Sequence, residues 1–114
     1  MARLLTAGLA ALSAALVVVA AGPAASTAGK LTATDGPGFT ISMSKKSVKH
    51  GAYTITVRDK SNIHNFHLTG PGVNKKTSVS FVGTNTWKVT LKKGTYKFVC
   101  DPHKTIMKGT LKVT

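Results

Sequence analysis

The sequence predicts an all-β domain, a sandwich or barrel of about seven short strands, behind a cleavable leader. Three observations carry this expectation. Beyond residue 29, apolar residues recur with a period of two rather than with a helical period. Clusters of Gly, Pro and Asn punctuate those runs at short intervals. The one long apolar run lies at the N-terminus, where its flanks read as an export signal.

The chain has 114 residues, enough for one domain. Met1-Ala2-Arg3 gives a short positive start, and Leu4 to Ala21 is a continuous run of apolar and small residues. Gly22-Pro23 breaks any helix, and small residues follow through Gly29. That order is a secretory signal peptide, with cleavage expected after Ala28 and Ala25 as the alternative cut. A permanent anchor is the rival reading, because the run is nearly long enough to span a bilayer. Its alanine content, single early arginine and small-residue exit favour cleavage. Residues 1–28 are therefore expected to leave and residues 29–114 to form the mature domain, exported to the periplasm, cell envelope or medium. A domain of that size buries roughly 60–70% of its unfolded surface. With one cysteine it has no internal disulfide, although an oxidising compartment would permit one.

The alternating runs are Phe39/Ile41/Met43, Tyr53/Ile55/Val57, Trp87/Val89/Leu91, Tyr96/Phe98 and Leu111/Val113, each interleaved with polar residues. Such strands are covered on one face, which suits an antiparallel sandwich or barrel. Turns are expected at Gly36-Pro37-Gly38, His50-Gly51, Gly70-Pro71-Gly72, Gly83-Thr84-Asn85 and Lys93-Gly94. Lysines fall mainly on the outward phase or in turns, where they keep sheet edges soluble.

Charge is strongly one-sided. The full chain carries +13, its only acids are three aspartates, and the expected cut removes just Arg3. Such a surface attracts acidic partners or anionic envelope surfaces. No basic helix or basic-aromatic motif points to nucleic acid.

The chemistry concentrates in Cys100-Asp101-Pro102-His103-Lys104-Thr105-Ile106-Met107, directly after the Tyr96/Phe98 run. Thiolate, imidazole and thioether are the side chains that suit copper. A trigonal site needs one more imidazole, and parity selects it. If a strand runs from Ile63 to Thr69, His64, Phe66 and Leu68 share the inner face, while Ile63, Asn65 and His67 face out. Tyr96, Phe98 and Cys100 share the inward phase of theirs. Cys100, His64 and His103 would then be the trigonal ligands and Met107 the weak axial one. Met43 lies in an inward strand phase and reads as core. Zinc fits less well, because structural zinc sites favour several cysteines. A Cys-His nucleophile finds no support in an oxyanion hole or substrate pocket, so no enzymatic activity is expected.

Ile63-His64-Asn65-Phe66-His67-Leu68, followed by Gly94-Thr95-Tyr96-Lys97-Phe98-Val99-Cys100-Asp101-Pro102-His103 and Met107, resembles the cupredoxins. The likeness is to small exported blue copper proteins of the plastocyanin and pseudoazurin type, and it spans about Gly36 to Thr114. The resemblance implies a Greek-key β-sandwich with one type 1 copper at a pole, held by His64, Cys100, His103 and Met107. It also implies that Asn65 ties the two ligand loops together by hydrogen bonds. Here Asp101 follows the cysteine, where many relatives carry a small hydroxyl residue, and three residues separate His103 from Met107. The implied role is one-electron transport, expected of a monomer, and Lys104 and Lys108 beside the loop favour a redox partner with an acidic docking face. Copper supply or storage with the same ligands is the alternative, and a basic module that binds anionic polymers is a third reading.

Overall fold

A computed structural model describes residues 13–15 and 29–114, so most of the expected leader lies outside the described residues. No helix among the described residues is long and apolar enough to cross a membrane. Nine strands follow: β1 Gly29–Asp35, β2 Ile41–Met43, β3 Ser47–Val48, β4 Gly51–Asp59, β5 His67–Gly70, β6 Val73–Lys76, β7 Gly83–Leu91, β8 Gly94–Val99 and β9 Lys108–Val113. They form a four-stranded sheet in the order β2-β1-β4-β7 and a five-stranded sheet in the order β3-β9-β8-β5-β6. The all-β sandwich expected from the alternation is what the chain adopts.

The period of two places one row of each strand inside. Leu31 and Ala33 of β1, Ile55 and Val57 of β4, and Val89 and Leu91 of β7 meet Leu68, Tyr96, Phe98, Leu111 and Val113 from the opposite sheet. Phe66 stacks on Phe98 with ring centroids 5.5 Å apart, in the offset range that aromatic pairs favour. At the end remote from the ligands, the buried Tyr96 hydroxyl receives the Lys92 N–H at 2.9 Å and donates to the Pro71 carbonyl at 2.8 Å. Gly70 is the residue that makes room, because a Cβ there would collide with the Tyr96 ring. Pro71 and Gly72 turn the β5–β6 hairpin. Gly72 has φ 71°, the left-handed conformation that a type II turn needs at its second central residue.

Four details differ from the sequence expectation. The sheets are mixed, because β1 runs parallel to β4 and β3 parallel to β9. A parallel neighbour needs a long crossover, and residues 36–50 supply it between β1 and β4. Gly83–Asn85 is not a turn but the start of β7, paired with Val57–Asp59 as β4 extends toward the pole. Phe39 lies outside β2 and is 57% exposed, since Gly36-Pro37-Gly38 delays the strand until Ile41. Finally, β5 begins at His67 rather than Ile63, so parity does not govern the residues before it. His64, Phe66 and Leu68 are buried as expected, but so is Asn65.

Candidate metal centre

The parallel pairing brings the ends of β1 and β4 to one pole, and the segments before β5 and after β8 finish there too. Cys100 continues the inward row of Tyr96 and Phe98 and is fully buried. The chain then tightens into one 3-10 turn, Asp101–His103, with Pro102 in its first positions, where a missing N–H costs nothing. The His103 N–H bonds the Cys100 carbonyl at 3.0 Å, and the Met107 N–H bonds the His103 carbonyl at 2.8 Å. The Cys100 N–H closes the loop on the Met107 carbonyl at 3.0 Å. Met107 is thereby fixed next to the cysteine, and its side chain is fully buried.

Three donor atoms converge across these loops. His64 Nδ1 lies 3.1 Å from His103 Nδ1, and Cys100 Sγ lies 3.7 Å and 3.5 Å from them respectively. A thiol and two imidazoles within 4.8 Å of one another make a donor set that copper suits. His67 is not drawn in. Its Nδ1 lies 2.8 Å from an Asp101 carboxylate oxygen and its Nε2 2.7 Å from the Asn74 side-chain oxygen.

Asn65 is the residue whose position parity misjudged. Its Oδ1 accepts the Asp101 N–H at 2.7 Å, and its Nδ2 donates to the Asp101 carboxylate at 2.8 Å and to the Thr77 carbonyl at 3.1 Å. The Asn65 backbone N–H approaches Cys100 Sγ at 3.4 Å. The link between ligand loops therefore exists with a carboxylate in the place of a hydroxyl, and His67 braces that carboxylate from outside. Burial alone would raise the Asp101 pKa, but hydrogen bonds from His67 and Asn65 outweigh it and hold the carboxyl below its ordinary value. Burial pushes the Cys100 thiol up, opposed by the Asn65 and His103 backbone N–H groups and reinforced by the charges of Asp35 and Asp101. The thiol thus keeps its proton at neutral pH until a metal displaces it.

Phe39 is a neighbour that alternation concealed. Its ring sits edge-on to both imidazoles, 5.2 Å from His64 and 5.0 Å from His103 between centroids. The Gly-Pro-Gly turn before it was the available signal, because such a turn interrupts a strand. Ile63 and the 61% exposed Ile106 flank the same two histidines in sequence and also present apolar surface.

A type 1 copper centre in a β-sandwich pole is the class of site these features define. The chain belongs to the plastocyanin/azurin family of copper binding proteins, whose family model matches residues 27–114. Among solved structures it is similar to reduced rusticyanin, with a TM-score of 0.58 and 22% identity over 75% of this chain and 78% of that one. Rusticyanin from Thiobacillus ferrooxidans matches with a TM-score of 0.56 and 22% identity over 75% and 76%. A further rusticyanin structure, described as a copper protein, matches with a TM-score of 0.57 and 20% identity over the same shares. At these identities the likeness concerns the fold. No curated protein sequence matches the chain.

Proposed function

We propose that residues 29–114 form an exported, monomeric carrier of single electrons, released from a leader comprising residues 1–28. His64, Cys100 and His103 would hold the metal, with Met107 as a fourth, weaker donor. When bound, copper supplies a one-electron couple whose two states accept the same ligand set. The observation that carries the reading is the arrangement of the three donors. They converge on loops locked by backbone bonds and by Asn65, so little rearrangement is needed on gaining or losing an electron.

His103, half-buried beside Phe39, is the exit for the electron. Exposed Phe39, Ile63 and Ile106 give a partner apolar contact, and exposed Lys104 and Lys108 favour one with an acidic face. Higher ionic strength then slows encounter. The same uncompensated charge supports association with anionic envelope surfaces.

Adding Cu(II) to the protein and recording its visible spectrum and electron self-exchange tests this. A thiolate-to-copper charge-transfer band, lost in Cys100→Ser, together with rapid self-exchange is expected. A colourless complex, or one that hands copper to an acceptor without redox turnover, would favour copper supply instead.

A further inference from the structure

Two of the chain's three aspartates serve none of these ligand contacts, yet they lie together beneath the same pole. Asp35 and Asp59 are register partners at the last positions of the parallel strands β1 and β4. Both point inward, with 0% and 2% exposure. Among the described residues, neither Asp35 carboxyl oxygen has a hydrogen-bond donor. Asp59 receives only the Thr77 hydroxyl and the Ser61 N–H, each at 3.3 Å. No lysine or arginine pairs with either group, and the ion pair found among the described residues is His67–Asp101.

Two ionised carboxylates cannot occupy such a place side by side. Desolvation penalises each charge, and each charge repels the other. A proton held between them removes one charge and supplies the donor that Asp35 otherwise lacks. Burial first, then the hydrogen bond with Asp59 and its charge, push the Asp35 carboxyl up to about 8.

The pair also faces the ligands. Gly36, the next residue, packs so closely on His64 that a Cβ would lie 3.3 Å from the ring Cδ2. From Asp59 a chain of bonds runs through the Thr77 hydroxyl to the Phe66 N–H, and through the Thr77 carbonyl to Asn65, whose backbone N–H meets Cys100 Sγ. The titratable groups to which these contacts lead are His64 and Cys100. Lys60 donates its backbone N–H to the Asp35 carbonyl but is itself exposed.

We propose that Asp35 and Asp59 form a proton-binding site linked to the redox state of the metal centre, which takes up a proton from solvent when the centre accepts an electron. The inference rests on the redox reading of the site. At a pH close to the pair's own titration, where the oxidised centre's positive charge has expelled the shared proton, one electron enters from a one-electron donor, one proton returns from solvent to the pair, and the net charge of the pole is unchanged. Coupling is reciprocal: a buried carboxyl beneath the pole must bind its proton more tightly when the centre's positive charge falls.

Carboxyl 13C titration of the copper-free full chain by NMR is the first arm of the test. One carboxyl of the pair is expected to titrate on the alkaline side of neutrality, and that transition disappears in Asp35→Asn, which replaces a neutral acid by a neutral amide. Ordinary acidic titration of both aspartates in the wild type overturns the proposal. In the second arm the midpoint potential of the copper-loaded protein is followed against pH. It falls with rising pH in the wild type and is flat in Asp35→Asn and in Asp59→Asn. An alkaline carboxyl titration with a pH-independent wild-type potential overturns the coupling. If that titration is present but no reversible couple is found, the electron-carrier reading fails and the linkage falls with it.

Discussion

Removing the Asn65 side chain tests the join between the ligand loops most directly. Asn65→Ala deletes two neutral hydrogen bonds and one to a carboxylate, and it strands the Thr77 carbonyl and the Asp101 N–H beneath the surface. At about 1 kcal/mol for each neutral bond and about 2 kcal/mol for the charged one, the loss is about 4 kcal/mol. A domain of this length is stable by roughly 4–13 kcal/mol, so the variant is left near the edge of folding. Tm should drop by about 15–30 °C. Denaturant unfolding of the copper-free protein, read by Trp87 fluorescence, measures the difference without contribution from the metal. A loss below about 1 kcal/mol would show that these loops are held by packing and that the Asn65 network is incidental.

Three further outcomes follow from the same structure. Asp35, lifted from 3.8 to about 8, favours the fold fully below its ordinary value, and that contribution is lost as pH rises toward 8. Asp101, held low, stabilises above its ordinary value and loses this only in stronger acid. Denaturation of the copper-free protein across pH should therefore show a maximum on the acid side of neutrality, and a maximum above pH 7 would contradict the assignment. Met107→Leu preserves core volume but removes a weak donor, so voltammetry should show copper retained and the midpoint potential raised. His67→Ala should leave the visible band in place, because the ring lies outside the donor cluster, while unfolding measurements reveal a loss of about 1–2 kcal/mol from the unbraced Asp101.

The site was more legible in sequence than the frame that holds it. Cys100 and His103 sit on one short loop and announce their chemistry by type, and parity within β8 aims the thiol correctly. Parity places His64 inside on the premise of a strand from Ile63 that in fact starts at His67, and His64 is buried near Cys100 and His103 because Phe66 and Leu68 are its companions in the core. Asn65 shows the limit of that premise. Alternation holds only where a ladder keeps the chain extended, and here side-chain bonds to Thr77 and Asp101 replace the ladder. Phe39 was misplaced for the related reason that hydrophobic spacing does not reveal where a strand stops. The Asp35–Asp59 contact depends on the register of two parallel strands joined by residues 36–50, which no local pattern encodes. β1 itself is easily overlooked, since Leu31 and Ala33 are its only apolar residues inside.

All three aspartates are committed to interior or pole contacts, so the fifteen cations of residues 29–114 have no lysine or arginine ion pairs among the described residues. Salt then acts on this molecule in two opposing ways. Added electrolyte screens the repulsion among like charges and strengthens the fold, the reverse of what a protein laced with surface ion pairs would show. The same screening weakens its grip on an acidic partner. Ionic strength is thus a single dial that trades folding stability against capture, and dilute surroundings, where docking is fastest, are where the fold is most strained by its own charge.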